Sequence, residues 1–136
     1  FRAAFGRDVP VVKVPAPSNL AVGRRALAEL LEREPKLQAI SCSSDGLAQG
    51  VLVEAASRGL RVPEDLAVCG FGDADFAAHL LPSLTTVHVD GAEIGRRAAQ
   101  LMLERCNGNA IEQPVVDLGF RIVERQSTGG PSTSPK

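Results

Sequence analysis

An α/β fold, a parallel sheet flanked by helices, is what this sequence predicts, and three observations carry the prediction. Apolar runs of strand length at 37–41 and 66–71 alternate with segments of helical periodicity. Both runs end in small polar or acidic residues, Cys42-Ser43-Ser44-Asp45 and Gly70-Phe71-Gly72-Asp73. Only three or four parallel strands can be counted, fewer than the usual five or six, so the sheet is expected to be incomplete. In open parallel sheets, ligands sit beyond the carboxyl ends of the strands. A small polar molecule is the expected occupant.

The elements follow in order. Val11-Val12-Lys13-Val14 is a strand candidate closed by Pro15-Ala16-Pro17-Ser18. Over 20–34, Leu20, Gly23, Leu27, Leu30 and Leu31 recur at threes and fours, which predicts a helix ended by Pro35. After the strand at 37–41, Ser44 suits a helix N-cap, and Asp45 sets negative charge against the positive end of the dipole. Leu47, Ala48, Val51, Leu52, Ala55 and Ala56 make the apolar stripe of that helix, and Gly59 stands where a left-handed residue closes it. The strand at 66–71 leads through Asp75 to a short helix around 76–80. Pro82 to Asp90 reads as a turn into a strand. Ile94, Ala98, Leu101 and Met102 share one face of a helix over 92–105, broken by Asn107-Gly108-Asn109. Two strand-like runs, 114–118 and 119–123, follow. From Gln126 onward the chain is rich in Ser, Thr, Gly and Pro and reads as a polar tail.

At 136 residues the chain has the size of one domain, and its first residue, Phe1, creates the expectation that others precede it. A hydrophobic fraction of 44% with five Phe suits a core of Leu, Val and Ala. The absence of Trp and Tyr weighs against an aromatic carbohydrate platform or a base-stacking surface. The formal net charge of -1 comes without the basic stripe that neutralises DNA phosphates. Arg24-Arg25 and Arg96-Arg97 fall on helices and read as solvated surface. Cys42, Cys69 and Cys106 lack CxxC or metal-ligand spacing, so reduced thiols and a cytoplasmic location are expected. No apolar run approaches the ~18 residues of a membrane span, and no membrane partner is expected.

No catalytic constellation assembles. Gly70-Phe71-Gly72-Asp73-Ala74-Asp75 begins like a dinucleotide fingerprint, but Asp75 stands where the third glycine belongs and two carboxylates would repel a pyrophosphate. Asp73 and Asp75 lie two apart with no nucleophile or metal partner nearby. His88 alternates with Val87 and Val89 and reads as a surface or hydrogen-bonded residue, while His79, beside Leu80 and Leu81, suits an interface. Ser43 and Ser44 lie outside any G-x-S-x-G elbow. No metal and no cofactor are expected. Binding is better supported, because a capped helix start at a strand's carboxyl end also favours polar ligands.

At this point the chain resembles the bacterial repressors of the lac-repressor and galactose-repressor type. The resemblance rests on Ser44-Asp45-Gly46-Leu47-Ala48-Gln49-Gly50, Gly59-Leu60-Arg61-Val62-Pro63-Glu64-Asp65-Leu66-Ala67-Val68, Gly70-Phe71-Gly72-Asp73 and Pro82-Ser83-Leu84-Thr85-Thr86-Val87. It implies a periplasmic-binding-protein-like regulatory domain of two subdomains with an effector between them, behind an N-terminal helix-turn-helix. By that likeness residues 1–128 are part of the effector-binding domain, in the second half of a complete repressor. Within it, 1–89 belong to the C-terminal subdomain, 90–128 cross back toward the first subdomain and supply the final strands, and 129–136 form a disordered tail. The helix at 92–105 should then have lost much of its packing surface.

The resemblance places Ser18, Ser44 and Gly72 toward the effector, with Phe71 and Asp73 flanking Gly72, and gives Asp45 the task of holding the helix start and the loop. It implies a homodimer, with contacts around His79, Leu80 and Leu81 and on the outer face of the helix bearing Gln49. Operator DNA would be met only through the helix-turn-helix. The family's usual pocket Asn is Ser44 here, and the first Asp of its G-F-D-D block is Gly72. Losing that Asp removes repulsion against an anionic ligand. With Ala16-Pro17-Ser18 and Val116-Asp117-Leu118-Gly119-Phe120, the pattern is most similar to the gluconate-utilisation repressors. A sugar acid such as gluconate, or its phosphate, is the implied effector, acting by a population shift between subdomain arrangements. Two other readings stand beside this one. The first is a solute-binding protein of a transport system with no DNA role; the second is an α/β enzyme using Asp73 or Asp75.

Overall fold

The computed structural model describes residues 9–111 and 113–130. Helix α1 (Leu20–Arg33) starts where the Asn19 side chain accepts from Val22 N, and strand β1 (Ala39–Ser41) follows. Helix α2 (Asp45–Ser57) starts at Ser44, whose Oγ accepts from Leu47 N at 3.3 Å. It ends as expected, with Gly59 N donating to Ala56 O and Leu60 N to Ala55 O. Strand β2 (Ala67–Phe71), a 3-10 turn (Asp75–His79), β3 (Thr85–His88), α3 (Gly91–Cys106), β4 (Arg121–Val123) and a second 3-10 turn (Gln126–Thr128) complete the order.

The sheet runs β1-β2-β3-β4. β1, β2 and β3 are parallel, with Ser41 level with Cys69 and Cys69 level with Thr85, so their carboxyl ends share one edge. β4 is antiparallel to β3 and pairs Arg121 with His88 and Val123 with Thr86, which makes the sheet mixed. Its chain arrives from α3 at the crevice end of β3, so it can only run back.

α2 covers β2, and α1 lies on α2 rather than on the sheet. The two helices approach backbone to backbone. A Cβ on Gly23 would stand 2.2 Å from Leu47 O, and one on Gly50 2.1 Å from Leu20 O. Leu27, Ala48, Val51, Leu66, Val68 and Leu84 form the centre of the core. The stripe expected along α2 is the one buried, except that Ala56 is exposed. α3 buries no residue, and Ile94, Met102 and Leu103 stay exposed with Phe120 and Ile122 near β4.

Three local expectations need correction. Residues 11–14 form no strand; Pro10 and Pro15 bracket them, and Val14 packs on the core instead of joining a ladder. Residues 114–118 are not a strand either, and Val115 is exposed. The polar run from Gln126 does not begin as a tail, because Ser127 is fully buried. Its Oγ donates to Val68 O at 2.6 Å and accepts from Thr85 N at 2.8 Å, bridging β2 and β3 below their ladder. Of residues 129–136, Gly129 and Gly130 close a turn onto Gln126 O and Arg125 O, and 131–136 lie outside the described residues.

Candidate functional site

The crevice edge is organised by a buried carboxylate. Asp45, in the first turn of α2, is 2% exposed. Its Oδ1 accepts from Thr86 Oγ1 at 2.6 Å and its Oδ2 from Ala74 N at 2.7 Å. The residue therefore ties the start of α2 to the β2 loop and to β3, as expected, and its oxygens are directed inward. Gly70 lets it do so, since a Cβ there would meet Oδ1 at 2.2 Å.

Around this anchor the expected ligand positions come together. Ser18, in the loop before α1, and Ser44, after β1, place their hydroxyls 3.4 Å apart. Gly72, after β2, has φ +120°, a conformation that disfavours any side chain, and a Cβ there would lie 3.8 Å from Asp45 Oδ2. Ser44 and Gly72 thus flank the same carboxylate. Phe71 is exposed beside them.

Asp73 is differently placed. Its backbone is left-handed (φ +56°) and both carboxylate oxygens are engaged within the protein. Oδ1 meets Arg125 Nη2 at 2.8 Å and Oδ2 meets His88 Nδ1 at 2.9 Å. Burial opposes ionisation of Asp73, but the hydrogen bonds from Arg125 and His88 outweigh it and hold the carboxyl below its ordinary range. Arg125 is itself buried and also donates to Leu84 O at 2.8 Å. His88 is the hydrogen-bonded strand histidine its alternation suggested. Arg125 and Ser127 were not singled out by sequence reasoning, and nothing in their polar surroundings marks them; only the fold brings them under β3.

Little supports chemistry at this edge. Burial, then the neighbouring Cys69 and Asp45, push the Cys42 thiol up to about 12, so it is no nucleophile. Among the described residues no cluster of His, Cys, Asp or Glu has the arrangement of a metal site, and no helix is long and apolar enough to cross a membrane. Of the arginine pairs, Arg24 meets Glu54 at 3.0 Å and Arg96 pairs with Glu93 on exposed helix surface. The residues expected at a dimer contact lie near two elements. Gln49 is half-buried on α2, His79 is exposed at the end of its 3-10 turn, Leu80 packs on the core, and Leu81 is 94% exposed.

A sheet of three parallel strands and one antiparallel strand, its tips gathering small polar groups around one buried Asp with apolar side chains exposed beside it, is the partial α/β architecture of a binding-protein-like domain. The chain belongs to the family of the periplasmic binding protein-like domain, which matches residues 3–128. It is 36% identical over 117 residues to the HTH-type transcriptional regulator GntR of Pseudomonas aeruginosa, covering 86% of this chain and 34% of that protein. It is 33% identical over 107 residues to the HTH-type transcriptional regulator IdnR of Escherichia coli, covering 79% of this chain and 32% of that protein. The solved transcription regulator GntR from Chromobacterium violaceum superimposes with a TM-score of 0.81 at 37% identity, over 94% of this chain and 48% of that one. A transcriptional regulator CelR–cellobiose complex gives 0.83 at 30% identity, over 93% and 39%. These relatives are regulators of the lac-repressor type. The chain spans about a third of the length of the curated relatives named here.

Proposed function

We propose that this chain is the effector-sensing and dimerisation part of a bacterial transcriptional repressor that responds to a sugar acid such as gluconate. The observation that carries the reading is the pair of hydroxyls on Ser18 and Ser44, 3.4 Å apart, opposite a Gly72 that brings no carboxylate to the crevice. Hydroxyls donate to and accept from a polyol chain, and the missing acid spares an anionic ligand from repulsion. The likeness to regulators named GntR and IdnR supports the same effector class. The protein catalyses no reaction, works in the cytoplasm as a homodimer, and meets operator DNA through a helix-turn-helix preceding this segment. Effector binding between the two subdomains shifts their arrangement and, with it, the spacing of the DNA-reading heads.

Isothermal calorimetry on the complete protein tests this. Gluconate or its phosphate is expected to bind, glucose to bind more weakly, and Ser44→Ala to reduce affinity for the acid by about tenfold, the loss of one or two hydrogen bonds. Absence of binding by gluconate, its phosphate and related sugar acids rejects the reading.

A further inference from the structure

Resting on the sugar-acid reading, we infer that His88 and its cross-strand neighbour Arg121 form the contact that recognises the effector's carboxylate. Thr86 faces Asp45, and His88, two residues on in β3, lies on the same side at the crevice end. Asp73 Oδ2 holds His88 Nδ1 at 2.9 Å. An ionised carboxylate only accepts, so Nδ1 carries hydrogen and the ring is fixed in orientation. Nε2 is left as the nitrogen for an outside partner, and the His88 side chain keeps 31% of its surface exposed.

Arg121 stands directly opposite His88 in the antiparallel ladder, where facing side chains lie about 5 Å apart on one side of the sheet. It is exposed and pairs with no carboxylate among the described residues. The other charges around His88 are Asp73 from the β2 loop, Arg125 after β4 and Asp90 at the start of α3. Arg125 offsets Asp73 at 2.8 Å, and Asp90 Oδ1 already accepts from Glu93 N at 2.9 Å. With a proton on each nitrogen the oriented imidazole donates through Nε2, and together with the exposed guanidinium beside it makes a seat for a carboxylate. Ser44 follows β1, two strand spacings or about 10 Å away. A six-carbon acid covers that span with a hydrogen bond at each end. Its hydroxyls then meet Ser18 and Ser44, its middle passes Gly72, and its carboxylate reaches His88 and Arg121.

The test is calorimetry on the complete protein at pH 6, 7 and 8 with gluconate and with neutral glucitol, for the wild type, H88Q and R121Q. A sugar acid is ionised throughout this range, so any slope belongs to the protein. The wild type is expected to bind gluconate several-fold tighter at pH 6 than at pH 8. H88Q should bind it with no such slope, R121Q about tenfold more weakly at every pH with the slope retained, and glucitol should show neither effect. Thermal melts establish folding, and the exposed Arg121 keeps the test valid if H88Q does not fold. Gluconate binding unchanged in both variants overturns the subsite alone. Failure of the wild type to bind any sugar acid overturns it together with the functional reading.

Discussion

Asp45 and Gly70 occupy one volume between them: a Cβ on Gly70 would stand 2.2 Å from Asp45 Oδ1 and 3.0 Å from Leu84 Cδ2. The glycine in the middle of β2 is the room that the carboxylate needs to reach Thr86 and Ala74.

Gly70→Ala is therefore expected to destabilise the complete protein by about 3 kcal/mol, part overpacking and part loss of the Asp45 hydrogen bonds. Asp45→Ala alone should cost a similar amount, because it strands Ala74 N and the Thr86 hydroxyl. With Asp45→Ala in place, however, Gly70→Ala should cost much less, only the 3.0 Å approach to Leu84 Cδ2 remaining. Urea denaturation of the three variants measures the coupling, and strict additivity would refute the shared-volume account.

Ser127→Ala should cost about 2 kcal/mol, since it leaves Val68 O and Thr85 N buried without their partner. Ser57→Ala, at an exposed hydroxyl on α2, serves as the control and should stay within about 0.5 kcal/mol. Equal midpoints for the two would show that Ser127 bridges nothing of consequence.

Asp73 carries a pH dependence. Its folded carboxyl titrates below the ordinary value of 3.8, because the bonds from Arg125 and His88 outweigh the burial that opposes ionisation. A depressed folded value contributes stability that is complete above the unfolded value and drains away as pH falls through the folded one. Asp73→Asn, which tolerates the left-handed backbone, should be clearly less stable than the wild type at pH 7. The gap should close below about pH 3.8. Melting temperatures at pH 7, 5 and 3 check this, and a gap that widens on acidification contradicts it.

Leu81 is the most exposed large apolar residue among those described and makes no demand on the core. On the proposed dimer, Leu81→Lys is expected to give monomer in analytical ultracentrifugation with a far-ultraviolet circular dichroism spectrum like that of the wild type. A fully dimeric variant would move the interface away from the 3-10 turn.

Strands β1, β2 and β3, the two helices of the first half and the Ser44 N-cap were legible in the sequence because each depends on local pattern: apolar runs, helical periodicity, a capping hydroxyl. The fate of α3 was legible only through the family likeness, since Ile94, Leu101 and Met102 have the periodicity of a buried face and yet none is buried. Arg125 and Ser127 were illegible for a physical reason. Their value comes from partners 41 and 59 residues away, Leu84 O and Val68 O, and a polar run cannot announce which backbone groups it will satisfy. The family likeness puts Asp73 beside the effector, but no local pattern marks the buried arginine that claims one of its oxygens.

Gly72 poses the sharpest test of the anionic effector. Restoring the family's acid with Gly72→Asp adds charge beside Asp45 and Asp73, but at φ +120° it also strains the backbone by about 1–3 kcal/mol. Weaker binding by that variant alone would therefore be ambiguous. Gly72→Asn carries nearly the same shape and the same strain without the charge, so the ratio of the two isolates electrostatics. In the complete protein at pH 7, gluconate should bind Gly72→Asp at least about tenfold more weakly than Gly72→Asn, a difference of roughly 1.4 kcal/mol. Added salt should narrow that difference. A neutral polyol should bind the two alike, or Gly72→Asp better, because a carboxylate accepts more hydrogen bonds from hydroxyls than an amide does. Equal gluconate affinities for the Asp and Asn variants would mean that the glycine is there for its backbone conformation, and that the crevice has not been cleared of charge for an acid.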